Sequence, residues 1–370
     1  MLKKVVGFIC EIDEPFDSNI MSKPYGGSET WIYKIAEQFA NNGYHVIIFN
    51  KLNYNHICGD IEFVIWDNLE LRLTYQYFTH IFINRIYNKR VLDIVRENNC
   101  CDNIYFIAHD MRLWKIDEPN KYIDNKSTFI GLEDIYTDEW SEKHIHYMFV
   151  MSDWHKECNL EYFNNNFLKV IGNGVELNNI EHNDIRDNNI LWSSCYNRGL
   201  DILIDKITPI VMKTIPDFKI YTCSYSQDLP EQYNDIPYII NLGKLNKQEL
   251  YNEMQKHKVC FLPLTHWETF CITVIENILN DVDIVCPFKF GVKTSLKYFD
   301  NILLHDGDYN DNDYCNYVAN EIVKKIQNYD NNNNIRSILK TYILNEYSWE
   351  SMFNKLYNCI SIYETNNCNN

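Results

Sequence analysis

Residues 259–279 read VCFLPLTHWETFCITVIENIL, and their order decides the fold. The apolar run at 259–264 has the length and composition of a strand buried on both faces, which is the habit of a parallel sheet. A loop bearing Glu268 follows, and then a helical stretch that carries Glu276. A strand passing through a short loop into a helix is half of a βαβ unit, and ligands of such sheets bind beyond the carboxyl ends of the strands. Two carboxylates flanking a helix start could hold a hexose and a ribose by their vicinal hydroxyls. The N–H groups of Thr269, Phe270, Cys271 and Ile272 between them would meet a diphosphate. Spacing alone also allows a loop charge and a solvated helix residue.

The same alternation extends in both directions. Downstream of the midpoint come ILWSS at 190–194, a helix over 199–214, FKIYTCS at 218–224, YIINLG at 238–243, a helix over 246–256 and VDIVC at 282–286. Upstream come VVGFIC at 5–10, a helix over 28–41 ending at Gly43, HVIIF at 45–49, HIFIN at 80–84, a helix over 89–97, NIYFIA at 103–108 and YMFVMS at 147–152. A helix then opens near Asp153 with an Asp cap available. The polar, Asn-rich stretch 173–189 reads as a linker. Two doubly wound α/β domains, 1–175 and 176–347, are therefore expected, facing one another across a central cleft.

Composition agrees with that size and narrows the function. With 370 residues, 46% hydrophobic and 15% aromatic, the chain can fill two cores, which excludes disordered, collagen-like and small disulfide-rich classes. A net charge of −17 opposes broad contact with nucleic acid or anionic lipid, so an anionic ligand needs a local basic pocket. Thirteen cysteines without a CxxC pair point to reduced thiols in a cytoplasm, and no zinc-site spacing is present. The opening MLKKVVGFIC turns acidic too soon for a signal peptide, and no stretch reaches 18 apolar residues. Asn331 to Asn334 reads as a surface loop, and Asp311-Asn312-Asp313 as a helix start rather than a metal-binding DxD.

Three further segments sit where strands hand over to helices. Tyr25-Gly26-Gly27-Ser28-Glu29 lets backbone approach an anion at a helix N-terminus, or forms a tight turn capped by Ser28. His109 and Asp110 follow NIYFIA, where an imidazole can donate or accept a hydrogen bond, or serve the turn itself. Arg198-Gly199 follows ILWSS, and its guanidinium suits phosphate oxygens bidentately or a surface ion pair.

In this order the segments resemble the retaining GT-B glycosyltransferases of family 4, the group 1 glycosyltransferases. The resemblance covers most of the chain: GGSE with its helix, FVMSDWHKE followed by VIGNGVEL, NRGLDILIDKITPIVMKTIPDFKI, LGKLNKQELYNEMQKHKVCFLPL, ETFCITVIE and the closing YSWESMFNKLY. It implies Gly26 and Gly27 near the donor phosphates, His109 beside the transferred sugar, Arg198 on the diphosphate, Glu268 on the sugar hydroxyls and Glu276 on the ribose. It also implies a closing helix, within 348–370, that crosses back to the first domain. Ser28, Asp110 and Asn173 are acceptor-side candidates. Ser193 stands where the family often carries an Arg, and Lys244, after YIINLG, is offered as the substitute cation. Cys271 stands in place of a frequent Gly, and Gly172 in place of a Pro.

The resemblance implies transfer of a hexose from a UDP- or GDP-sugar to an acceptor hydroxyl with retention. No metal and no cofactor are expected, and the acceptor would be a glycan, a protein or a small molecule. GT-B epimerases and phosphorylases want other residue sets that are not visible here. A degenerate module that binds a nucleotide or glycan without turnover is the alternative outside enzymes. With its charge and no basic amphipathic helix, the chain is expected to be soluble, without membrane association.

Overall fold

The computed structural model describes residues 3–11, 14–87, 89–111, 114–115, 143–160, 163–176, 186–224 and 228–367, so residues 177–185 of the expected linker lie outside it. The chain forms two compact units, one of Met1–Ile20, Ser28–Gly172 and Met352–Asn370, the other of Met21–Gly27 and Asn173–Ser351.

The first unit is built on β1 (Val5–Cys10), β2 (His45–Asn50), β3 (His56–Cys58), β4 (Ile61–Ile65), β5 (Phe78–Asn84), a short β6 (Ile86–Tyr87), β7 (Cys101–Ala108), a short β8 (Trp114–Lys115), β9 (Ile145–Val150) and β10 (Leu168–Val170). Eight of these form one sheet in the order β10-β9-β7-β5-β1-β2-β4-β3, parallel except for the β3–β4 pair, while β6 pairs with β8. Helices α1 (Gly27–Asn41), α2 (Leu69–Tyr75), α3 (Lys89–Asn98) and α4 (Asp153–Asn159) alternate with the strands. Parallel register sets Phe8, Phe82, Tyr105 and Tyr147 level on four successive strands, with ring centroids 5.1, 5.1 and 6.3 Å apart. Each such pair adds about 0.5–1.5 kcal/mol beyond burial.

The second unit carries β11 (Asp187–Trp192), β12 (Ile220–Cys223), β13 (Ile239–Gly243), β14 (His257–Phe261) and β15 (Asp283–Val285), all parallel in the order β13-β12-β11-β14-β15. Its main helices are α5 (Lys247–Met254), α6 (Ile272–Leu279), α7 (Asn312–Gln327) and α8 (Asn333–Tyr347). Asp311 caps α7 by accepting from Asp313 N–H at 2.9 Å, as its polar sequence predicts. The closing helix α9 (Trp349–Asn367) belongs to the first unit from Met352 onward. There Phe353 meets Phe39 edge to face at 5.0 Å.

Three local expectations are corrected, the first being the loop expected at Asn331 to Asn334, where a 3-10 turn, Tyr329–Asn332, runs straight into α8. The cap of α4 is Ser152, whose hydroxyl accepts from His155 N–H at 3.0 Å, and Asp153 is the first helical residue. The stretch 199–214 is not one α-helix: a π-helical turn, Ile202–Ile207, runs into Thr208–Val211. Pro209 can donate no N–H and crowds the carbonyl four residues back, so the turn widens, and Thr208 bonds Leu203 O through both N–H and Oγ1. The strand IEFVI of β4 and helix α2 escape the sequence reading altogether.

Four buried histidines of the first unit are held neutral. Burial pushes His80 and His109 down to about 3, and His146 and His155 down to about 4. The unfolded chain takes up these protons near pH 6.5 and the folded chain does not, so stability is lost as pH falls from about 6.5 toward about 4. Each histidine steepens that loss by up to about 1.4 kcal/mol per pH unit. Protection factors against hydrogen exchange, which remove the pH dependence of intrinsic exchange, should therefore fall in mild acid more on β5 and β7 than on β12 and β14, and His80→Phe should flatten the slope. Equal acid sensitivity of the two sheets would contradict this account.

Candidate functional site

In the second unit strand order reverses between β11 and β14. The loops leaving their carboxyl ends turn to opposite faces, and such a switch point is where α/β sheets bind ligands. Arg198 lies on the loop after β11 and Glu268 on the loop after β14, and the two form an ion pair there. The loops pack closely. Gly199 adopts a left-handed φ of 109°, and a Cβ on it would come within 2.5 Å of Pro263. Thr265 Oγ1 donates to Arg198 O at 3.4 Å, and Gly291 N–H holds Glu268 O at 2.8 Å. Glu268 is thus fixed by main chain and side chain together.

Helix α6 begins four residues after Glu268. Its N-cap, Cys271, is buried at φ 66°, ψ 66° and makes no side-chain cap, so the first N–H groups of the helix carry no side-chain partner at the cap. That left-handed φ is one that Gly, the residue the resemblance implies there, adopts without strain. Phe270 is buried edge to face against Tyr347 at 5.2 Å, while Thr269 and Ile272 are half-buried. The segment Met21–Gly27 groups with this unit, and a Cβ on Gly27 would lie 3.8 Å from the Ile272 side chain. Gly26 and Gly27 are half-buried there.

Glu276, in the second turn of α6, is only 3% exposed. Lys247 pairs with it, and Tyr251 Oη donates to its Oε1 at 3.0 Å. Burial, and then the Glu276 charge, push the Tyr251 phenol well up, so it stays a donor. Lys244 is exposed at the end of β13. Lys247 and Tyr251 were not singled out in the sequence, where nothing links them to a carboxylate on another helix. Asn173 is buried, next to Gly174 beneath the Trp349 ring.

In the first unit the order reverses between β5 and β1, and the candidates His109, Asp110 and Ser28 gather at that carboxyl edge. What joins them is Arg85, which the sequence reading missed. It follows β5 in a left-handed conformation, φ 61°. Its Nε donates to Asp110 Oδ2 at 2.8 Å, its Nη2 lies 2.8 Å from the same oxygen, and its Nη1 lies 3.3 Å from Ser28 Oγ and 3.7 Å from Glu29 Oε1. His109 is buried, with its ring 5.4 Å from Trp31 in an edge contact. Its depressed pKa comes from burial first and the Arg85 charge second. A neutral imidazole there can bond a substrate hydroxyl in either sense. His155 accepts Met151 N–H on Nδ1 at 3.2 Å, which places its proton on Nε2. Asn84, just before Arg85, is buried with no partner for its amide among the described residues.

No described group of three or more His, Cys, Asp or Glu is placed to hold a metal ion, every described cysteine is free, and no described helix is long and apolar enough to cross a membrane.

No family model matches the chain, and no curated protein matches its sequence. Solved structures do match. Sucrose-phosphate synthase from Thermosynechococcus elongatus aligns over 100% of both chains with a TM-score of 0.69 at 12% identity. A glycosyltransferase from Rickettsia africae aligns over 98% of both at 0.68 and 13%. HepE of Anabaena, solved with UDP and glucose, aligns over 97% of this chain and 99% of its own at 0.64 and 11%. The fold is GT-B.

The Cys271 backbone yields a stability test. Cys271→Val puts a β-branched side chain at a positive φ and should cost about 1–3 kcal/mol more than Cys271→Gly, measured by denaturant unfolding. Equal costs would mean that the αL conformation is not kept in solution.

Proposed function

We propose that the chain is a glycosyltransferase that moves a hexose from a nucleotide diphosphate sugar, a UDP- or GDP-sugar, to an acceptor hydroxyl with retention of anomeric configuration. The observation that carries this is the meeting of Arg198 and Glu268 at the switch point, with Glu276 eight residues on in the same segment. The second unit would hold the donor: Glu276 on the ribose hydroxyls, Arg198 and the N–H groups of Thr269 to Ile272 on the diphosphate, and Glu268 on the sugar hydroxyls. A diphosphate entering this site would draw Arg198 from Glu268 and free that carboxylate for the hexose. Departure of the diphosphate builds negative charge that the guanidinium and the α6 N–H groups stabilise, so the step asks for no metal and no cofactor. Lys244 and the glycines Gly26 and Gly27 complete the phosphate surroundings in this reading.

We assign to neutral His109 a bond to the transferred sugar, and to Ser28, Asp110 and Asn173 contacts with the acceptor. We assign the chain to the cytoplasm, on its acidic charge and free cysteines, with a glycan, protein or small-molecule acceptor. The fold neighbours include a protein solved with UDP-glucose, which favours a nucleotide-sugar donor.

A thermal-shift panel of UDP, GDP, ADP and CMP with their sugar conjugates tests the reading, because a ligand of the folded state raises stability by RT ln(1 + [L]/Kd). One nucleotide family should give a clear shift. Arg198→Ala should weaken that nucleotide by roughly 2–4 kcal/mol. Glu268→Ala should lower transfer with nucleotide affinity kept, and Glu276→Ala should damage both. Nucleotide binding with no effect of Glu268→Ala on turnover of the sugar conjugate would instead mark a binding module without catalysis, and no shift at all would dismiss the donor site.

A further inference from the structure

Glu276 is an unusual residue to find where it is. It sits on α6 among Val274, Ile275, Ile278 and Leu279, all buried, at a place where an apolar side chain would serve packing better. A buried carboxylate is costly unless paired and hydrogen-bonded, and replacing a buried ion pair by apolar residues is often neutral or stabilising. Packing alone therefore does not account for it.

Its partners are equally specific. Lys247 is the first residue of α5, and a cation at a helix N-terminus opposes the dipole, so α5 gains nothing from it locally. The start of α5 is already secured by the reciprocal Asn246–Glu249 capping box. Lys247 and Tyr251 stand one turn apart on α5, with the ammonium 5.7 Å from the Tyr251 ring centre. Both reach across to the same oxygen of Glu276, Oε1. The Oε2 side of the carboxylate is left without a partner among the described residues. One oxygen is clamped from α5 by a charge and a hydroxyl, and the other is left to accept.

We infer that Lys247 and Tyr251 are positioning residues that clamp Oε1 of Glu276 so that Oε2 accepts the ribose hydroxyls of a nucleoside diphosphate, and that they thereby set preference for ribose over 2′-deoxyribose. The inference rests on the proposed donor site, in which Glu276 meets the ribose. Lys247 supplies the counter-charge that lets a carboxylate stay in an apolar setting, and Tyr251 fixes its rotation. A carboxylate free to turn would bond one hydroxyl at a time and lose discrimination between one hydroxyl and two.

The test uses isothermal titration of the full chain with UDP, GDP and ADP and with their 2′-deoxy counterparts. The wild type should favour the ribonucleotide of its preferred base by about 10- to 100-fold, the usual weight of a hydrogen bond to a charged group. Tyr251→Phe and Lys247→Met should bring that ratio to within about threefold of unity. Lys247→Arg should retain most of it, and Arg198→Ala should weaken both nucleotides and leave the ratio intact. Tyr251→Phe removes one hydroxyl and decides the matter even where Lys247→Met fails to fold.

An unchanged ratio in Tyr251→Phe and Lys247→Met, or equal weakening of both nucleotides, would overturn the inference and leave the donor site standing. A wild type that binds a diphosphate with no ribose preference would remove Glu276 from the ribose, and the clamp with it. A wild type that binds none of the three would dismiss the donor site itself.

Discussion

Two carboxylates carried on one short segment, Glu268 and Glu276, have to be neutralised out of bulk water, and that requirement ties the second unit together. Neither is paired from within its own segment. Arg198 reaches Glu268 from the loop after β11, and Lys247 reaches Glu276 from the first turn of α5. Each pairing spans a crossover of the sheet, so it holds a loop edge in register as well as balancing charge. Desolvating the Lys247–Glu276 pair costs several kcal/mol per ion, which their attraction offsets only with good geometry and further hydrogen bonds, whereas Arg198 stays partly in solvent. The Tyr251 hydroxyl supplies such a bond at Glu276, while the Gly291 N–H holds the Glu268 main-chain carbonyl and so fixes the loop. Both ion pairs therefore act as organisers of the loops more than as sources of stability.

The first unit meets a similar constraint with the signs exchanged. Arg85 is the cation, placed by a left-handed residue at the end of β5, and Asp110, Ser28 and Glu29 converge on it. Strain of that kind persists only where surrounding bonds hold it, and here they are the guanidinium contacts and the Arg85 N–H to Ile107 O bond at 3.0 Å. Beside this charged cluster His109 is buried, and both burial and the Arg85 charge disfavour its protonation. One cation thus orders the polar groups of the turn and adds to the burial that keeps the imidazole behind it neutral.

The strands were legible because parallel strands covered on both faces must be continuously apolar: VVGFIC and HVIIFN admit no other reading. The doubly wound order was legible for the same reason, since alternation of such runs with helices leaves few topologies. Where burial is partial the signal fades. Strand β4 leaves Glu62 and Ile65 half-buried, and α2 buries only Leu69 and Leu73 of its seven residues. The cap of α4 went to Ser152 rather than Asp153 because backbone dihedrals choose between adjacent cap residues: Ser152 is extended and Asp153 already helical.

The candidate site divides along the same line. Residues at strand ends, such as His109, Arg198 and Glu268, could be found by position, since a strand followed by a helix announces its own carboxyl edge. Arg85 and Lys247 could not, because what distinguishes them is a partner far along the chain. Arg85 meets Asp110 across β5 and β7, and Lys247 meets Glu276 across α5 and α6. Sequence periodicity describes what one element buries. It carries no information on which two elements share a charge, and in a protein of net charge −17 almost every lysine has an acidic residue near it in sequence. Lys244 and Lys247 differ by less than one helical turn. Lys244 lies at the end of β13, exposed, while Lys247 stands inside α5, where the helix turns its side chain onto the buried carboxylate.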